Sequence, residues 1–134
     1  MLGEKLTETR GNITNQRVLE VESAPKMETS FQEAGKIFGA EFANVGTFTG
    51  VFRPSGTLYG EGHGVLTTKD GDLATWKAQG VGTPVGRGNA ASWRGSLCFH
   101  TQSEKLARLN TTAVIFEYEI DEENNARGKY WEWK

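Results

Sequence analysis

Residues 57–82 read TLYGEGHGVLTTKDGDLATWKAQGVG, and the fold is decided here. Lys69-Asp70-Gly71-Asp72 is a hairpin signal, because Asp-Gly accepts the positive φ angles that a tight reversal needs. Before the turn, Thr57 to Thr68 reads as extended chain. Leu58, Gly60, Gly62, Gly64 and Leu66 share one face, and Tyr59, Glu61 and His63 share the other. After the turn, Leu73 to Val81 reads as a strand whose Trp76, Ala78 and Gly80 point inward, opposite Lys77. Glycine within a strand costs stability unless it bends the chain or admits a neighbouring group. Glycines at alternate positions therefore point to strongly coiled strands closing a small barrel.

The same period of two extends in both directions. Val18 to Ser23 reads as a strand with Leu19 and Val21 on one face, and Met27, Thr29 and Phe31 alternate with Glu28, Ser30 and Gln32 in a second. From Phe38 to Phe52 the even positions carry Phe38, Ala40, Phe42, Gly46, Phe48, Gly50 and Phe52, which reads as one long, bent strand. Asn89 to Thr101, Thr112 to Asp121 and Arg127 to Trp133 complete the series. Ser103 to Leu109 is the one helical candidate, with Ser103 as its cap. Short connections favour antiparallel neighbours. The expected fold is all-β: a single antiparallel up-and-down barrel of about eight strands with one short helix. It occupies about residues 18–133 of one domain spanning 1–134, with residues 1–15 as a loose tail.

Composition narrows the function classes. The chain has 134 residues, enough for one well-filled core. Its 17 glycines are almost double the roughly 7% norm, yet they form no flexible Gly/Ser run. Net charge is −2 and the basic residues are scattered, which argues against nucleic acid or an anionic lipid surface as partner. The apolar runs are far too short for a membrane span, and no signal-like segment opens the chain. A single cysteine, Cys98, permits no internal disulfide and reads as a buried thiol. A cytoplasmic setting is the expectation.

Thr57-Leu58-Tyr59-Gly60-Glu61-Gly62-His63-Gly64, Gln79-Gly80-Val81-Gly82, Phe116-Glu117-Tyr118-Glu119 and Tyr130-Trp131-Glu132-Trp133 carry a resemblance. Across Val18 to Trp133 the pattern resembles the small antiparallel barrels of the allene-oxide-cyclase and calycin type. It is also similar to an uncharacterised bacterial domain family sharing that architecture. The resemblance implies a central apolar cavity and transfers no catalytic residue.

By parity, Phe42, Phe48, Trp76, Phe116 and Tyr118 are the expected wall of that cavity. Polar fixing groups would come from Glu61, His63, Arg94 or His100. Glu61 and His63 share a strand face and could act as an oriented general base or as two metal ligands. They could equally form an outward polar surface. With two histidines and no zinc-binding spacing, neither metal nor cofactor is expected. Gly86-Arg87-Gly88-Asn89-Ala90-Ala91 has the letters of a dinucleotide fingerprint, but a strand follows where a helix is required. Large aromatics facing glycines can fill a barrel or line a site. The leading expectation is a binder of a small apolar or aromatic molecule. The alternatives are a cyclase- or isomerase-like enzyme in the same cavity, and a filled barrel acting through protein association, with a homodimer among its partners.

Overall fold

The computed structural model describes residues Met1–Lys134. Eight strands close in sequence order: β1 (Leu2–Glu20), β2 (Lys26–Ile37), β3 (Ala40–Phe52), β4 (Leu58–Thr68), β5 (Leu73–Pro84), β6 (Ala91–Thr101), β7 (Ala113–Ile120) and β8 (Asn125–Trp133). Every neighbouring pair is antiparallel, and β1 pairs with β8 to complete the ring. No helix is long and apolar enough to cross a membrane. The one helical element is a 3₁₀ helix over Ala107–Thr111, in place of a helix over Ser103 to Leu109.

The expected loose tail is strand. Residues 2–12 supply the β1 side of the β8 pairing, from Leu2 opposite Trp133 to Asn12 opposite Asn125. The second half of β1 pairs with β2, from Thr9 opposite Gly35 to Glu20 opposite Lys26. Register shifts between Leu2 and Lys5, Lys5 and Thr7, and Ile13 and Asn15 break the alternation. Leu6 and Thr9 are both buried although they lie three apart, so a strict period of two misses this strand. Leu19 and Val21, expected as one face of a half-buried strand, are exposed where β1 ends.

The expected strand from Phe38 to Phe52 begins at Ala40. Phe38 and Gly39 have φ of 50° and 80° and join β2 to β3, with Ile37 opposite Ala40. Positive φ at both central residues is the geometry of the tightest hairpin turns. The Phe38 ring lies outside, 5.0 Å from the Arg108 guanidinium.

Two apolar layers fill the barrel. At one end Leu106 and Leu109, flanking the start of the 3₁₀ helix, pack against Ile37, Phe42, Leu66 and Ala74 and plug it. The central layer includes Phe31, Trp76, Trp93, Leu97, Tyr118 and Tyr130, with Phe48 and Phe116 packed alongside. Room for the tryptophans comes from glycines on adjoining strands. Trp76 stands opposite Gly64, itself opposite Gly46, and a Cβ on Gly46 would lie 2.6 Å from Trp76 Cζ2. Trp93 stands opposite Gly82 and reaches over Gly60 on β4, where a Cβ would meet its ring at 2.8 and 3.0 Å.

Candidate functional site

Two carboxyl groups are buried: Glu132 on β8, paired with Arg108 and Lys134, and Glu33, which has no basic partner. Glu33 follows Phe31 on the inward face of β2 and is 5% exposed. Its Oε2 accepts from Thr9 Oγ1 at 2.8 Å, and its Oε1 accepts from Asn44 Nδ2 at 2.9 Å and Tyr130 OH at 3.0 Å. Trp76 Nε1 donates to Asn44 Oδ1 at 2.7 Å, extending the network onto β5. Asn44 stands directly opposite Glu33 in the β2–β3 register, so the pair is set by backbone pairing. Burial pushes the Glu33 carboxyl above its ordinary range, while its three donors pull in the opposite direction.

Two phenols accompany the carboxyl. Burial, followed by the neighbouring Glu33 charge, pushes both Tyr118 and Tyr130 hydroxyls upward, so both remain neutral donors near pH 7. Tyr130 uses its donor on Glu33. The Tyr118 hydroxyl is buried and has no partner. A buried polar group left in that state costs about 1–3 kcal/mol.

Two small chambers lie along the barrel. The inner one, about 70 Å³, is lined by Phe31, Asn44, Phe48, Trp76, Tyr118 and Tyr130 among others. The outer one, about 80 Å³, is lined by Met27, Thr29, Leu58, Asn89 and Ile120 at the end away from the plug. Phe48 and Trp93 border both and stand edge to face with centroids 5.4 Å apart. Neither chamber reaches the roughly 300–1,000 Å³ of a typical ligand pocket. The interior is therefore largely filled. Each chamber has about half of the roughly 150 Å³ that holds one benzene in an engineered apolar cavity.

The sequence-derived wall is brought together in part. Phe48, Trp76, Phe116 and Tyr118 line the inner chamber, whereas Phe42 belongs to the plug. The expected polar fixing groups Glu61, His63, Arg94 and His100 are all exposed on the outer surface. Glu61 borders the inner chamber where Gly60 and Gly62 thin the wall, but its carboxylate accepts from the Tyr59 hydroxyl at 2.8 Å outside. Arg94 pairs with Glu119 at 3.1 Å. Cys98, read as buried, is exposed because Leu97 takes the inward position. No group of three or more His, Cys, Asp and Glu side chains is placed to hold a metal.

Thr9, Glu33, Asn44 and Tyr130 lie outside the sequence-derived site. The alternation of Met27, Thr29 and Phe31, carried one step further, puts Glu33 inside. Asn44 likewise fills the even-numbered position between Phe42 and Gly46. A lone polar residue in an inward series is the available signal. Thr9 had no such signal, since bulges hide the parity of β1.

No family model and no curated protein matches this sequence. Solved structures do share its fold. A protein of unknown function from Clostridium acetobutylicum superimposes with a TM-score of 0.83 at 13% identity, covering 98% of each chain. A β-barrel-like protein from Acinetobacter baumannii gives 0.82 at 14% identity, covering 100% of this chain and 96% of its own. An enzyme from Penicillium herquei gives 0.69 at 15% identity, covering 96% of this chain and 92% of its own. At these identities the likeness establishes a shared barrel architecture.

Proposed function

We propose that the protein binds a small apolar or aromatic molecule inside the barrel, entering at the end opposite the 3₁₀ plug. The observation that carries this reading is the pair of aromatic-lined chambers separated only by side chains. Phe48 and Trp93 stand between them, and Phe48 is itself only half-buried. Rotation of the Phe48 ring would join the two spaces into room for one aromatic ring. A preformed apolar space gains free energy on filling, because its lining recovers dispersion contacts that a void forfeits.

α-Methylstyrene, a single-ring hydrocarbon, is a probe of suitable size. Titrated into the protein, it is expected to bind with a stoichiometry of about one and to quench emission from Trp76 and Trp93, both of which line the chambers. Phe48→Ala removes the intervening ring and should tighten binding about tenfold, as for a ligand filling an engineered cavity. Failure of both wild type and Phe48→Ala to bind would rule out an interior site.

Acid–base catalysis of the isomerase or cyclase kind is a second reading. It is favoured by Glu33, a buried carboxyl group with a raised pKa whose partners Asn44 and Tyr130 line the inner chamber. The enzyme from Penicillium herquei shows that a chain of this architecture can carry catalysis.

A further inference from the structure

The Tyr118 hydroxyl is the one buried side-chain polar group lining the inner chamber that has no hydrogen-bond partner. The polar groups around it have partners: Trp76 Nε1 donates to Asn44, and Thr9, Asn44 and Tyr130 donate to Glu33. The residue is 6% exposed, so bulk water does not serve the hydroxyl. We infer that the interior site selects a small, neutral aromatic molecule carrying one carbonyl-type oxygen, which accepts a hydrogen bond from Tyr118. This rests on the proposed interior site and adds the chemical class of its ligand.

The surroundings decide the charge. No lysine or arginine lines either chamber, so nothing there would compensate an anionic ligand. Glu33 nearby would oppose an anion further. A cationic ligand would need Glu33, whose carboxyl group three donors already occupy, or Glu61, whose carboxylate is held outside by the Tyr59 hydroxyl. The phenol remains protonated and hence able to donate. The walls choose the rest of the molecule: Phe31, Phe48, Trp76, Trp93 and Phe116 offer aromatic faces and edges to a flat, apolar body. Selectivity then follows from the cost of an unpaired donor. A ligand that supplies an acceptor relieves it, and an isosteric hydrocarbon leaves it in place.

Acetophenone and α-methylstyrene form a matched pair, with C=O in one where the other has C=CH₂. Their affinities are to be compared in wild type and in Tyr118→Phe, with thermal unfolding as a control for folding. Phenylalanine removes only the unpaired oxygen, so the variant is expected to be at least as stable. Wild type should prefer acetophenone by up to about tenfold, the scale of one net hydrogen bond. In Tyr118→Phe that preference should disappear, while α-methylstyrene binds as before or better. Equal affinities in wild type would mean that a water satisfies the hydroxyl, which overturns the inference and leaves the interior site standing. A preference for acetophenone that survives in Tyr118→Phe would also overturn it. Binding of neither probe would remove the interior site and this selectivity with it.

Discussion

Trp76 shows how closely a single position is constrained in this barrel. Its ring covers Gly64 and Gly46, and a Cβ on Gly64 would collide with the indole. Gly64→Ala should therefore destabilise the protein by roughly 1–3 kcal/mol through overpacking, although alanine suits an extended backbone. Chemical denaturation measures it, and an unchanged midpoint would show that the ring can move aside. Glu33 carries a different constraint. Burial holds its folded-state value above the 4.5 of an unperturbed glutamate, so the folded protein holds that proton more tightly than the unfolded chain does. Its contribution to stability is complete below pH 4.5 and is lost as pH rises through the folded value. Glu33→Gln keeps the acceptor for Asn44 and Tyr130 and turns an amide towards Thr9 Oγ1, which can accept. Relative to wild type, the variant should gain in melting temperature as pH increases from 4 to 7. A difference that stays flat, or shrinks, would mean that the three donors outweigh burial.

Among the elements, β1 departs most from its sequence reading. Its inward residues are Leu6 and Thr9, with Ile13 partly buried, and the intervening bulges leave no regular alternation to detect. Strands β4 and β5 are the opposite case. Their alternation is unbroken, their turn is an Asp-Gly pair with Gly71 at φ 93°, and their register runs from Leu58 opposite Gly82 to Thr67 opposite Leu73. Regular elements are legible because side-chain parity follows position alone, whereas each bulge resets that parity and tertiary pairing decides where it falls. Deletion of residues 1–12 tests the role of β1. A tail could be removed without effect. A closing strand cannot, since its loss leaves β8 with a free edge. The truncated protein should lose the single sharp unfolding transition and associate through that edge, as gel filtration and thermal denaturation would report.

The whole molecule was legible as a ring of eight strands, because glycines at alternate strand positions required tight coiling and short turns required antiparallel neighbours. The interior chemistry was less so. Glu61 and His63 are titratable groups on one strand face, but sharing a face says nothing about whether that face meets the core. Glu33 and Asn44 become a site only when β2 and β3 pair in register, and Tyr130 reaches them from the far end of the sequence. Closure of the ring has a bearing on how the protein is made. β1 hydrogen-bonds to β8, and Lys134 N donates to Met1 O at 2.8 Å, so the first strand of the barrel is paired by its last. A nascent chain on the ribosome can assemble the intermediate hairpins one by one, but it must hold the β1 edge open until β8 has emerged. Vectorial synthesis thus leaves the seam as the last contact to form, and for that interval the emerging chain presents two sticky borders to whatever chaperone or sister chain lies near the exit tunnel.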